Sequence, residues 1–324
     1  KLVQDYLAQA STLVKDITLA QLVLMIKAGD DLGVVRSLRP GYGDTLETMR
    51  SAYIAGGKDE MASLSGAAVN RIKAITGVKP AFDPRTEAAE SFLKQVERAT
   101  LSGLVERQDD AVWTMLGAGR DGGLNAKAVA ESILGSVQSN GIRAGGVPGL
   151  AGTDVQAIVN ARKQLESGDP SLMQDYFDRI RRDKRFDKSV LKAIKAGKAP
   201  PQDVIDRAVT RYSERLLQTR AEAEASVEAM QVYNAGRGEF YRQLIAQGID
   251  PNTITKEWRT RRDEKVRFSH RAMNGQVQYA DTPFNAPNGA KMDAPGDMSQ
   301  GASVALVVRC RCRAFYTIAP ATSE

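Results

Sequence analysis

The chain has 324 residues, of which 42% are hydrophobic and 26% are charged, and its formal net charge is +6. This length exceeds what one hydrophobic core usually serves, and the composition excludes a disordered polymer, so we expect two or three packed units. One histidine and two cysteines exclude a zinc site made of four cysteines or of two cysteines with two histidines, a catalytic pair of histidines and a disulfide framework.

Residues 1–80 have the periodicity of amphipathic helices. Apolar residues recur at spacings of three and four in the first third of this segment, and a second helical stretch covers 45–76. Lys15 and Asp16 interrupt the first apolar run, so no membrane span is predicted. Because the segment shows no obvious core of its own, we expect residues 1–80 to anchor a partner.

Residues 81–252 predict a helical body. The longest apolar pattern predicts a helix over 202–247, with a bend near 234–238, where two glycines weaken the pattern. A glycine-rich connector at 141–152 lacks the Gly-Lys-Ser/Thr ending and the flanking strand of a phosphate-binding loop. We therefore interpret the connector as a loop.

One segment of the body, 179–198, is strongly basic, with nine Lys and Arg residues against Asp183 and Asp187. Two interpretations stay open: a solvated face with mixed ion pairs, or a surface that contacts nucleic acid or an acidic partner. The residues predicted to make such contacts are Arg179, Arg181, Arg182, Lys184, Arg185, Lys188 and Lys192.

The character of the sequence changes after residue 252. Residues 253–260 and 276–279 have strand patterns, and 304–318 predicts one long or two short strands. We therefore expect residues 253–324 to form a separate domain. The fold class predicted for the whole chain is mainly α, with an elongated helical body and a small C-terminal α+β domain.

Both cysteines lie in this C-terminal domain. In an extended strand, Cys310 and Cys312 would project to one face about 7 Å apart, and a disulfide at this spacing would be strained. Two hypotheses stay open: a zinc ion with His270 as third ligand, or two small buried side chains that pack the core. The fourth zinc ligand would be water or one of three carboxylates, Asp263, Asp281 and Asp297. A carboxylate there would close the tetrahedron and make the site structural.

Six short motifs follow one another in the same domain. They are Trp258-Arg259-Thr260, Asp263 to His270 with Arg267 between them, Asn274-Gly275-Gln276, Pro283-Phe284, Ala294-Pro295-Gly296-Asp297 and Cys310-Arg311-Cys312. The ordered series resembles the C-terminal domain of phage Mu F-like minor head proteins, a phage head morphogenesis family. Weaker similarity extends over 82–318, although this chain has Arg220-Ala221-Glu222 where family members often have Arg-Thr-Glu.

The resemblance implies a low-copy structural protein of the virion. It implies a position inside the head at the portal vertex, and in the host cytoplasm during assembly. The implied partners are the phage portal protein, other head proteins and packaged double-stranded DNA. The implied role is head morphogenesis, with DNA packaging or ejection as a further role.

Two other function classes stay open. Small C-terminal α+β units on phage head proteins can be nucleases or toxins, and a phosphodiester site would use Arg267, His270, Arg309 and Arg311. A DNA-binding protein inside the capsid would instead use the basic segment. Because one histidine among arginines offers few groups for acid–base catalysis, we expect a non-enzymatic protein.

Three motifs also carry structural predictions. Trp258 is expected to anchor the core of the domain rather than to bind a ligand. Asp263 and Arg267, four residues apart, predict either an exposed ion pair on a short helix or a buried pair that orients the next loop. Asn274-Gly275 predicts a tight type I′ turn between a helix and a strand.

Overall fold

A computed structural model describes residues 1–39, 41–138, 141 and 143–319. The α-helices in these ranges are α1 Leu2–Asp16, α2 Leu19–Lys27, α3 Asp31–Ser37, α4 Gly43–Ala62, α5 Gly66–Thr76, α6 Glu87–Asp121, α7 Ala126–Leu134, α8 Gly152–Glu166, α9 Pro170–Asp175, α10 Asp187–Ala196, α11 Gln202–Ala246, α12 Phe268–Met273 and α13 Val304–Val307. The strands are β1 Ser136–Val137, β2 Arg143–Ala144, β3 Ile254–Arg259, β4 Val277–Tyr279, β5 Phe284–Asn285, β6 Lys291–Met292 and β7 Arg313–Ile318. The predicted fold class, mainly α with a small C-terminal α+β domain, is confirmed.

The chain forms two compact units that are not consecutive in sequence. The C-terminal unit comprises Lys1–Leu2, Gly43–Ala99 and Ala223–Glu324, and the helical unit comprises Val3–Tyr42 and Thr100–Glu222. The long helices α6 and α11 each contribute residues to both units. The units therefore combine parts of the segments 1–80, 81–252 and 253–324 that the sequence patterns delimit.

The core of the helical unit includes the N-terminal helices. Leu22, Val34 and Leu38 are fully buried there, together with residues of α6, α7, α8 and α11 such as Val112 and Ile205. We predicted that the first 80 residues expose an apolar face for a partner. That prediction assumed that the segment has no core of its own. In the structure, much of its apolar face is covered by helices of the same chain.

The C-terminal unit is built on a three-stranded antiparallel sheet with the order β4-β3-β7. Alternation along the central strand β3 directs Ile254, Lys256 and Trp258 into the core. The buried Lys256 donates from Nζ to the carbonyl oxygen of Asp293 at 2.8 Å and lies 5.2 Å from the ring centre of Phe284. Burial lowers the pKa of Lys256 to about 8.

Two glycines allow α4 and α11 to cross in close contact. A Cβ atom on Gly56 would lie 2.0 Å from the carbonyl oxygen of Tyr233, and one on Gly236 would lie 2.0 Å from that of Tyr53. The helix α11 is continuous over its 45 residues, close to the predicted range 202–247. Gly236, one of the two glycines from which we predicted a bend, lies within this helix and serves the crossing.

Candidate metal centre

His270 is buried on the short helix α12, at 2% exposure. Its ring packs edge-on against the indole of Trp258, with 5.6 Å between ring centres, so the central strand of the sheet fixes one side of the imidazole. Trp258 is fully buried and also contacts the ring of Phe284 at 5.3 Å. The structure thus places Trp258 as a core anchor, as the sequence predicted.

Cys310 and Cys312 approach His270 from the segment between α13 and β7. The predicted strand over 304–318 is only partly correct, because residues 304–307 form α13 and the strand begins at Arg313. After α13 the chain turns through Arg309, which has a φ of +52°. This turn replaces the extended geometry that we expected for Cys-Arg-Cys, and the backbone N–H of Cys312 points to the sulfur of Cys310 at 3.4 Å.

The three side chains converge on one point. Nδ1 of His270 lies 3.5 Å from the sulfur of Cys310 and 3.5 Å from the sulfur of Cys312. The candidate ligand atoms all lie within 4.8 Å of one another, and both cysteines are 4% exposed. Nε2 of His270 is buried and has no hydrogen-bond partner within the described ranges.

The two thiols influence each other electrostatically. Hydrogen bonding with the Cys312 thiol and with the His270 ring holds the pKa of Cys310 below its ordinary value, against the opposing effect of burial. The adjacent sulfur of Cys310 and burial raise the pKa of Cys312. A single thiolate is therefore favoured in this buried pair, and a second one would require a cation to balance it.

Asp263, one of the carboxylates considered as the fourth ligand, is not part of the cluster. Both of its carboxylate oxygens accept hydrogen bonds from Arg311, at 2.6 and 2.7 Å. This pairing holds the pKa of Asp263 below its ordinary value. Arg311 lies between the two cysteines in sequence, and its guanidinium is paired with Asp263.

The other two candidate carboxylates also make local contacts. Asp297 accepts hydrogen bonds from the backbone N–H groups of Asp293 and Ser299, at 2.8 and 2.9 Å. Asp281 contacts the hydroxyl of the adjacent Thr282 at 3.3 Å. Among the residues that the structure describes, the group able to hold a metal is therefore His270, Cys310 and Cys312.

The motif residues between β3 and β4 make structural contacts that differ from two predictions. Arg267 donates to the carbonyl oxygen of Val308 rather than pairing with Asp263. Asn274 has a φ of −62° and Gly275 a φ of +85°, which is a type II turn rather than the predicted type I′ turn. A type I′ turn requires positive φ at both positions, and the φ of Asn274 is negative. The side chain of Asn274 accepts hydrogen bonds from the backbone N–H and the hydroxyl of Thr260, at 2.9 Å each.

The basic segment 179–198 divides into two sets. The arginines donate to neighbours within the helical unit, Arg179 to Gln164, Arg181 to Thr219, Arg182 to Asp187 and Arg185 to Asp183. Hydrogen bonding from Arg185 lowers the pKa of Asp183 to about 2. These four of the seven predicted contact residues therefore have hydrogen-bond partners within the helical unit.

The lysines of the segment are exposed. Lys188 and Lys192 lie one turn apart on α10, opposite the buried Val190 and Ala193, and Lys184 precedes them in a 3-10 turn. Spacings of four residues place Lys188 and Lys192 on one face of the helix. Three of the seven predicted contact residues are thus exposed, and they are called here the lysine row: Lys184, Lys188 and Lys192.

Comparison with protein-family models, curated proteins and solved structures finds no match to this chain. In the part of the chain that the structure describes, no helix combines the length and apolarity needed to cross a bilayer. Function is therefore inferred from the residues themselves and from their geometry.

Proposed function

We propose that this chain is a structural protein of a phage head, acting in head morphogenesis at the portal vertex. Its proposed partners are the portal protein, other head proteins and packaged DNA. One observation supports the proposal: the motifs that resemble Mu F-like proteins are used to build a single small domain. Trp258 packs on His270 and Phe284, and the cysteines face the same histidine.

The competing enzymatic interpretation requires the same residues to face a phosphodiester. Arg267 instead donates to the backbone of Val308, and Arg311 forms a bidentate pair with Asp263. His270 is buried against two sulfurs. Because these contacts occupy three of the four proposed catalytic residues within the domain, they favour a structural role.

Complementation in the phage that encodes the chain tests this proposal. A nonsense mutation in the gene should reduce the yield of DNA-filled heads, and wild-type protein supplied in trans should restore it. Trp258→Ala should fail to restore the yield because it empties the core of the domain. Glu257→Gln, at the neighbouring and partly exposed position of β3, is the matched control and should restore it.

Mass spectrometry of purified particles supplies the second measurement. We expect the chain in filled heads at low copy number relative to the major capsid protein. Particles that lack the chain, with a normal yield of filled heads from the nonsense mutant, would overturn the proposal. Degradation of DNA by the purified chain, abolished by Arg309→Ala, would favour an enzyme instead.

A second candidate function, contact with packaged DNA, is favoured by the lysine row. The arginines of the segment donate to acidic and polar neighbours, whereas these three lysines are exposed. Lysine ammonium groups neutralise phosphates without reading base sequence, which suits a protein that meets DNA of every sequence.

Salt dependence of DNA binding tests this second function. Replacing all three lysines with Ala should weaken binding to every duplex alike and reduce the slope of log affinity against log salt by about 2 to 3 units. The matched control removes equal charge from exposed positions of the C-terminal unit, Lys58, Lys73 and Lys94. Equal effects of the two triple variants would show that the row is only a solvated surface.

A further inference from the structure

We infer that His270, Cys310 and Cys312 bind one zinc ion through Nδ1 and the two sulfurs. The inference rests on the positions of these three atoms and does not depend on the proposed role in a phage head. It identifies a metal site in which the chain supplies three ligands from two segments 40 residues apart.

The spacing of the ligand atoms matches a zinc tetrahedron. With Zn–S bonds of about 2.3 Å and a Zn–N bond of about 2.0 to 2.1 Å, a tetrahedral angle places nitrogen and sulfur about 3.6 Å apart. Both N–S distances in the structure are 3.5 Å. The same bond lengths give a sulfur–sulfur edge of about 3.8 Å, within the 4.8 Å that encloses the whole group.

The symmetric placement of the sulfurs also separates a metal site from a packed core. In the tautomer with its proton on Nε2, a neutral imidazole has a single lone pair on Nδ1, which accepts one hydrogen bond well, yet two sulfurs lie at equal distance from that atom. A metal ion bound to the lone pair of Nδ1 is also in position to bind both sulfurs. Two cysteines that only fill space would have no reason to share one ring nitrogen.

The charge of the site suits its burial. The three ligands are 2 to 4% exposed, so an unbalanced charge among them would be strongly unfavourable. Two thiolates, one neutral imidazole and Zn²⁺ sum to zero. Zinc is favoured over magnesium or calcium because sulfur and imidazole are its preferred donors, whereas those cations take oxygen.

The fourth position is assigned to water. Asp263 is held by Arg311, and no further His, Cys, Asp or Glu among the described residues joins the group. Of the two alternatives that the sequence left open, a carboxylate and water, the contacts of the described residues favour water. Asp263→Asn therefore becomes the control that separates the two ligand sets, because it should leave metal binding unchanged.

Metal analysis of the purified full-length chain tests the inference. Reduced protein from zinc-supplemented cells should carry about one zinc per chain, and Cys312→Ser and His270→Gln should each lose it. Cobalt exchanged into wild-type protein should give a thiolate-to-cobalt charge-transfer band and the intense visible bands of a tetrahedral ion.

The cobalt spectrum of the wild type decides the question even where a variant fails to fold. Folded, reduced wild-type protein that takes up neither zinc nor cobalt would overturn the inference. Loss of the metal in Asp263→Asn would overturn the three-residue ligand set. Retention of stoichiometric metal in Cys312→Ser or His270→Gln would do the same.

Discussion

Replacing Glu60 with Gln tests whether a buried ion pair joins the helices of the C-terminal unit to its sheet. Glu60 on α4 accepts hydrogen bonds from Nε of Arg237 at 2.6 Å and from the hydroxyl of Tyr241 at 2.8 Å. The same guanidinium donates to the carbonyl oxygen of Ala314 in β7 at 2.8 Å. Gln preserves the shape of the side chain but leaves Arg237 buried without a counter-ion.

The expected loss of stability follows from the burial of the pair. The two side chains are 7% and 12% exposed, so the bulk solvent cannot compensate for the missing charge. Removing one partner of a buried pair typically costs about 3 to 5 kcal/mol. We expect the lower end, about 3 kcal/mol, because Arg237 keeps two neutral acceptors, the carbonyl oxygen of Ala314 and Oδ1 of Asn234. In a unit of this size that corresponds to a melting temperature lower by about 6 to 12 °C.

Differential scanning calorimetry of the full chain at neutral pH measures this shift. Glu257→Gln is the control, because the Glu257–Arg259 pair is 29% and 49% exposed and belongs to the same unit. An exposed pair contributes at most about 1 kcal/mol. A shift in Glu60→Gln no larger than in the control would refute the reasoning. The double variant Glu60→Met/Arg237→Met should recover part of the loss, because it removes both charges.

Three further predictions concern stability. Burial lowers the pKa of Lys256 to about 8 in the folded state. Between this pH and the ordinary pKa of lysine, the unfolded chain therefore binds more protons than the folded chain. Stability should therefore rise by about 3 kcal/mol across this window relative to Lys256→Met, and equal pH profiles would contradict the burial of a charged lysine. Removing residues 1–78 should give an insoluble chain, since Leu22 and Val34 leave the core; a soluble, cooperatively unfolding fragment would contradict this. Chelation of zinc should lower the melting temperature of wild-type protein but not that of Cys312→Ser, as measured by calorimetry.

The local elements were predictable where one periodicity extends over many turns. The pattern over 202–247 predicted α11 to within a residue at its C-terminal end, and the alternation after residue 252 predicted β3. Short apolar runs were ambiguous. Val304–Val307 has the composition of a strand but forms a helical turn, and the chain then turns through Arg309 before the two cysteines.

The residues of the proposed metal site were predictable because the chain has so few histidines and cysteines. With one histidine and two cysteines in the chain, any site that uses these residue types must draw on the same three residues. The fourth ligand was not predictable, because it depends on a competition between residues far apart in sequence. Asp263 pairs with Arg311, 48 residues away, and sequence spacing contains no information about that choice.

The division of the chain into two units could not be predicted from sequence patterns for a similar reason. Periodicity reports which face of a helix is buried, but not which helix covers it. The apolar faces in 1–80 were identified correctly as apolar and assigned to an external partner. In the structure, residues of α6, α7 and α8 cover much of that surface in the helical unit. The burial of Lys256, in contrast, follows from the sequence pattern alone. Alternation along β3 places Lys256 on the same face of the strand as Ile254 and Trp258, which are buried.

A metal tie at His270 has a physical purpose in a domain of such short strands. Between the two halves of the site lie β4, β5 and β6, which have two or three residues each and cannot form a stable sheet alone. Linking residues 40 apart removes about 4 kcal/mol of chain entropy from the unfolded state by the loop-closure relation. That gain applies whether the domain faces a portal, DNA or solvent. It therefore gives the placement of the two cysteines and Trp258 around one imidazole a stabilising role.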